Sequence, residues 1–212
     1  MSPSSASRLL LVRHGQTASN VAQTLGAAHD DPLDALGQRQ ARAVATWLTG
    51  LNLPAPRVYA SRYLRAGQTA GAIGEALGQP VTLLDGLHEI EVGPGWSGRP
   101  YAHLRTHAHE LELPGGAFGF PGGETLDAVA TRFLAALEQP LTQPGTTPIV
   151  VSHGGALTAV LARLLDLAPR AVWDDPRYAH ANTAVTELER GASGWQVRRL
   201  AEHPHLAALA VE

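Results

Sequence analysis

RLLLVRHG, residues 8–15, is an apolar run that stops on an arginine, a histidine and a glycine. Four consecutive aliphatic residues suit a strand covered on both faces, as the central strands of a parallel sheet are. Outward from it, helical and strand-like patterns alternate. Residues 37–51 set Ala41, Val44, Ala45, Leu48 and Leu51 on one helical face. RVYAS (57–61) is strand-like, and Ser61 is placed to cap a helix that turns Ala66, Thr69, Ala70, Ile73 and Leu77 inward and ends at Gly78 and Pro80. VTLL (81–84) is a third strand. A Gly-, Pro- and His-rich excursion over about 85–123 reads as a lid, with a short helix near 100–112. Helical spacing returns over 124–138, PIVVS (148–152) is a buried strand, and ALTAVLARLLDL (156–167) is a helix. TAVTELE (183–189) and GWQVRRL (194–200) alternate as two strands about a turn at 191–194. This order predicts a single domain over 1–212, an α/β fold in three layers, α/β/α, on a mainly parallel sheet. Its ligand site is expected beyond the carboxyl ends of the strands.

Composition narrows the chemistry. The 212 residues are 44% hydrophobic and 17% charged with a net charge of −3, which offers no basic field for nucleic acid or an anionic membrane, and neither is expected as a partner. All 16 cationic side chains are arginine, and cysteine is absent. Lysine Schiff bases, a P-loop lysine, thiolate nucleophiles and zinc–cysteine sites are thereby removed. MSPSSAS at the N-terminus lacks a cationic region, and no apolar run matches a signal core or a membrane span, so a cytoplasmic location is expected. A homodimer is compatible with this composition.

The strand reading places reactive side chains at one edge. Arg13 and His14 follow the first strand, Arg65 the second, Glu89 the third and His153 the fourth. Two arginines, two histidines and a carboxylate in one crevice suit a phosphoryl group. Arginine matches phosphate oxygens with a planar, permanently charged fork, and a neutral imidazole is a competent nucleophile near pH 7. Nearby guanidinium groups favour that neutral form. Gly15, Gly154 and Gly155 would let backbone approach a bound oxyanion, beside helix N-termini that favour anions. Taken singly, each residue also has a structural use: Arg13 as an ion-pair partner, His14 as a hydrogen-bonded core histidine, Arg65 on a helix surface, His153 as a strand end.

An ordered set of motifs goes further. RHG after a short strand, Asn20 seven residues after Arg13, S-x-x-x-R-A at 61–66 followed by Q-T-A, L-x-E-I at 87–90, P-G-G-E at 121–124 and V-S-H-G-G at 151–155 together resemble the histidine phosphatase superfamily, also called the phosphoglycerate mutase-like family. The resemblance implies a phosphatase of small phosphorylated substrates that needs no metal or other cofactor. Carried over by motif, it implies His14 as the nucleophile, Arg13, Arg65 and His153 as the phosphate clamp, Glu89 as the proton donor, and Asn20 and the Gly154 backbone as further phosphate contacts. After the acid this chain runs Gly93-Pro94-Gly95-Trp96-Ser97-Gly98 where the family often has G-x-W-E-G. Glu91, on the same face as Glu89 in an extended segment, therefore stays a candidate acid. Phosphoglycerate mutase chemistry and a non-catalytic phospholigand-binding module are the alternatives. The mutase lacks support in this sequence, which has no E-R-H-Y-G at the acid and no long basic insert; the binding module is expected to have lost the nucleophile or the acid.

Three further features have two readings each. His103, His107 and His109 with Glu110 have metal-like spacing, but the chain has no H-E-x-x-H and no obvious third ligand, and a solvated lid segment is the preferred reading. Trp96, Tyr101, Phe118 and Phe120 either line a pocket or pack the excursion. Glu124 reads as a first-turn helix acid.

Overall fold

The two faces of one strand explain why residues 9–12 are all aliphatic. A computed structural model describes residues 7–211, so that MSPSSAS, apart from Ser7, lies outside the described residues. In chain order the elements are β1 (Arg8–Arg13), α1 (Ala18–Ala22), α2 (Ala35–Thr49), β2 (Pro56–Ser61), α3 (Leu64–Leu77), β3 (Val81–Leu84), α4 (Tyr101–Thr106), α5 (Leu126–Thr142), β4 (Thr147–Ser152), α6 (Gly154–Leu164), α7 (Pro169–Asp174), β5 (Val185–Gly191) and β6 (Gly194–Glu202). Side chains alternate across a strand. Leu9 and Leu11 therefore join Val129 and Phe133 of α5 and Leu157 and Val160 of α6 in one core layer. Leu10 and Val12 join Val44 and Leu48 of α2 and Ala70 and Ile73 of α3 in the other. The result is three layers, helix, sheet and helix.

The sheet order is β3-β2-β4-β1-β5-β6. β3, β2, β4 and β1 run parallel, and β5 and β6 close the other edge antiparallel. Parallel strands deliver their carboxyl ends to one edge of the sheet. An antiparallel neighbour delivers its beginning there, and the pairing of Val12 with Val185 sets residues 182–184 beside the end of β1. No helix among the described residues is long and apolar enough to cross a membrane.

Two local expectations need correction. Ser61 does not cap α3, which begins at Leu64 with Tyr63 in the capping position and no side-chain cap. Ser61 is completely buried, and its hydroxyl serves the site instead. Glu124 is not in the first turn of α5 either, because Thr125 caps that helix and Glu124 precedes it. The carboxylate of Glu124 receives the Nε and Nη2 of Arg132 at 2.7 and 2.8 Å and the backbone N–H of Glu91 at 2.9 Å. Burial alone would push this carboxyl up; Arg132 and the Glu91 N–H hold it below its usual range.

The excursion after β3 is partly core. Ile90, Val92, Trp96, Leu111, Phe118 and Phe120 are buried in it. Trp96 and Phe118 pack, whereas Tyr101 and Phe120 reach the main cavity. The excursion is tied across to the loop after α1: the Leu25 N–H donates to the Arg99 carbonyl at 2.8 Å, the Gly98 N–H to Leu25 at 2.9 Å and the Tyr101 N–H to Gln23 at 2.7 Å. Gly26 has φ +72, and a Cβ there would lie 2.8 Å from Ser97 Oγ, so the strap needs glycine. His103 and His107 stack with centroids 3.7 Å apart. Among the described residues no group of three or more His, Asp or Glu side chains is placed to hold a metal ion.

Candidate active site

The carboxyl edge of the sheet carries a cavity of about 580 Å³, and Arg13, His14, Asn20, Arg65, Glu89 and Gly154 all line it. Four elements and their following loops meet there. β1 ends in Arg13, α3 carries Arg65 in its first turn, the segment after β3 carries Glu89, and α6 starts at Gly154.

His14 is buried and held at both ring nitrogens. Its Nδ1 lies 2.7 Å from the Gly15 carbonyl, and its Nε2 lies 3.2 Å from Arg65 Nε. A carbonyl only accepts, so Nδ1 carries the proton, and Nε2 keeps its lone pair to accept from the guanidinium. Burial, reinforced by Arg13 and Arg65, holds the imidazole well below its ordinary value. A neutral ring with its lone pair on the cavity side is the form a nucleophile needs.

Arg65 is buried, donates Nη1 to the Ala28 carbonyl at 2.8 Å, and has its guanidinium 5.0 Å from the Tyr63 ring centroid. Arg13 donates Nη1 to the His180 carbonyl at 2.6 Å, while its Nε is buried without a protein partner. An unpaired buried donor is costly, and at the edge of a cavity it is free to meet an acceptor there. His153 is fully buried behind His14, with ring centroids 5.1 Å apart, and does not itself line the cavity. Its Nε2 pairs with Ser61 Oγ at 2.9 Å, and its Nδ1 has no partner. Burial first, then His14, Arg65 and Arg13, keep this ring well below its ordinary value too.

Glu89 sits at the start of α6. Its Oε1 accepts from the N–H groups of Ile90 at 2.9 Å and Ala156 at 2.8 Å, and its Oε2 from Gly155 at 3.2 Å. His153, the capping residue of α6, makes no side-chain cap, so the carboxylate does that work. Glu91 is exposed and lines a second cavity of about 350 Å³, which it shares with Glu89.

Two of the three glycines are required by contacts within the protein. A Cβ on Gly15 would lie 2.5 Å from the Gly37 carbonyl, and one on Gly37 would lie 2.1 Å from the Gln16 carbonyl. Gly15 is thus required where the loop after β1 crosses the start of α2. At Gly155 a Cβ would meet Ile90 Cγ2 at 2.6 Å and Glu89 Oε1 at 2.9 Å, so this glycine makes room for the carboxylate. A Cβ on Gly154 would meet nothing closer than Arg13 Nε at 3.8 Å.

Several supporting residues were not singled out as site residues from the sequence. Asn182 donates to the His14 carbonyl at 3.1 Å and to Asn20 Oδ1 at 2.9 Å, tying together two cavity residues. Thr69 Oγ1 accepts the Gly15 N–H at 3.0 Å and donates to the Arg65 carbonyl at 2.8 Å. Arg132 donates to the carbonyls of Gly86, His88 and Glu89 at 2.7 to 3.0 Å, fixing the backbone that presents Glu89. The polar HANT run at 180–183, just ahead of an alternating strand, was the available signal for Asn182.

This burial has a pH signature. His14 and His153 are held well below 6.5, and burial first of all brings both His180 and His205 down to about 4. An unfolded chain takes up these protons near pH 6.5. Between pH 6.5 and 4 the unfolded state therefore binds more protons than the native one, so stability falls as pH falls through that window. Urea unfolding is expected to show a steady midpoint from pH 8 to 7 and a decline below 6.5, with roughly 3 kcal/mol attributable to His180. A midpoint unchanged down to pH 5 contradicts the assignment of these rings as neutral.

The site can be compared with known proteins. The sequence profile described as histidine phosphatase superfamily (branch 1) matches residues 9–203. The chain is 31% identical over 209 residues to the probable phosphoglycerate mutase GpmB of Yersinia enterocolitica, covering 94% of each. Among solved structures it resembles mycobacterial hydrolase 1, with a TM-score of 0.80 and 27% identity over 93% of this chain and 99% of that one. It also resembles a mycobacterial glucosyl-3-phosphoglycerate phosphatase complexed with VO3, with a TM-score of 0.74 and 30% identity over 91% and 97% of the two chains.

Proposed function

The chain belongs to the histidine phosphatase superfamily, branch 1, and on that premise we propose that it is a phosphomonoesterase working through a phosphohistidine on His14. The observation that carries this reading is the His14 ring. Its proton is fixed on Nδ1 by the Gly15 carbonyl and its Nε2 lone pair points to Arg65, at a cavity that also holds Arg13 and Glu89.

The reaction follows from these contacts. An incoming phosphoryl dianion draws the Arg65 guanidinium from the imidazole, since a charge-assisted bond to phosphate outcompetes one to a neutral ring. Arg13 Nε gains an acceptor in the phosphate oxygens, with Asn20 and the Gly154 N–H as further donors, while His153 supports the His14 ring from behind. His14 Nε2 then attacks phosphorus, the bond to the leaving oxygen breaks, and the Glu89 carboxyl gives that oxygen its proton. Positive charge developing on the ring is supported by the Nδ1–H bond to Gly15. Water next attacks phosphorus as Glu89 takes its proton, the P–N bond breaks, and inorganic phosphate and neutral His14 are left. The guanidinium groups stabilise the equatorial oxygens throughout.

Glu89 is favoured over Glu91 because it lines the main cavity with His14 and Glu91 does not. The same reading includes a cytoplasmic location, and activity in the soluble fraction of disrupted cells checks it. The central test is trapping. Rapid quenching with a labelled ester is expected to give an acid-labile, alkali-stable phosphoenzyme with the label on the peptide containing His14. Steady turnover with no such species, or with label elsewhere, overturns the reading.

A further inference from the structure

The phosphoryl machinery supplies only part of the lining of the 580 Å³ cavity. A phosphate group takes the space of a few waters at about 30 Å³ each, so most of the volume is left for the group esterified to it. Much of the remaining lining is apolar: it includes Ile90, Val92, Leu104, Phe120, Val172 and Trp173, with the Phe120 and Trp173 rings edge to face, centroids 5.9 Å apart. Away from the clamp, the charged lining residues are Arg105 and Asp174, which oppose each other in sign. Asp174 already accepts from Arg170 Nε at 2.6 Å.

A leaving group with its own carboxylate or second phosphate is held most strongly by paired cations or a bidentate fork in a desolvated setting. Arg105 is a single exposed arginine, and the Asp174 carboxylate lining the same cavity disfavours a second anion. An apolar wall of this extent instead rewards buried hydrocarbon. Resting on the phosphatase reading above, we propose that the substrate is a phosphomonoester of an uncharged alcohol with an extended apolar body, rather than a small anionic acid such as a phosphoglycerate.

The test holds leaving-group chemistry constant. Normal alkyl phosphates from ethyl to decyl share nearly the same alcohol acidity, so kcat/KM across the series reads the wall alone. We expect a rise of about two- to fourfold per methylene until the cavity is filled, with 3-phosphoglycerate below butyl phosphate. In Leu104→Asn the slope should flatten. Hydrolysis of 4-nitrophenyl phosphate with a flat alkyl series, a parent-like slope in Leu104→Asn, or preference for 3-phosphoglycerate overturns this proposal and leaves the phosphatase reading standing. Failure to hydrolyse any ester overturns the phosphatase reading itself. Calorimetric binding of the same alkyl phosphates to His14→Ala then judges the wall without turnover: affinity rising with chain length supports it, and affinity independent of length overturns it.

Discussion

His14→Ala is expected to lower kcat by about five orders of magnitude, the scale seen when an enzyme loses its attacking atom, and to abolish the acid-labile phosphoenzyme at the same time. The two losses must coincide, because in the proposed sequence every turnover passes through the P–N bond. Arg13, Arg65 and Glu89 do not take over the attack. A guanidinium has no lone pair to offer, and the Glu89 carboxylate is held by the N–H groups of Ile90, Gly155 and Ala156 at the start of α6. Removing a buried ring also leaves a cavity, so the melting temperature is measured alongside. His14→Asn, closer in volume and still able to bond the Gly15 carbonyl, should be equally inactive with less loss of stability. Appreciable turnover by folded protein of either variant rejects His14 as the nucleophile. So does a phosphoenzyme that persists without it.

How far this site was readable from sequence depends on where each residue stands relative to a strand. Arg13, His14 and His153 follow directly on apolar runs, and Glu89 follows β3 by a short segment. The direction of a parallel strand then sends them to one edge, and the apolar pattern suffices to place them. Arg65 was placed because the helix that carries it starts at the same edge. Asn182 lies before an antiparallel strand, so the rule for parallel strands passes it over. Arg132 is further from view, since it lies in α5, eight residues after the carboxylate it holds, and reaches carbonyls more than forty positions away. Such contacts are set by the tertiary packing of α5 against the segment after β3 and leave no local period. Ser61 and Glu124 were misread for a different reason. A hydroxyl or carboxylate near a helix start has both a local use as a cap and a distant use as a partner, and here His153 and Arg132 take them. Gly15 shows the same ambiguity, its missing side chain serving the approach of Gly37.

Glu89→Gln should produce the second largest effect, and its size should depend on the ester. A proton donor contributes about 10² to 10⁴ in rate when the leaving oxygen is a poor leaving group. Alkyl phosphates are therefore expected to lose that much in kcat, while 4-nitrophenyl phosphate, whose phenolate departs without help, should keep most of its phosphorylation rate. With the nitrophenyl ester the slow step then becomes attack of water on phosphohistidine, which also needs Glu89 as base, so labelled phosphoenzyme should accumulate in the variant. Glutamine keeps one carbonyl oxygen for the N–H groups of α6, and that preserves the position of the side chain while removing its proton chemistry. Glu91→Gln serves as the comparison, because Glu91 is exposed and sits outside the main cavity while its backbone is bound to Glu124. It should change kcat by less than about threefold, the range of ordinary surface substitutions. If Glu91→Gln instead shows the leaving-group dependence and Glu89→Gln does not, the proton donor is Glu91, acting from the second cavity.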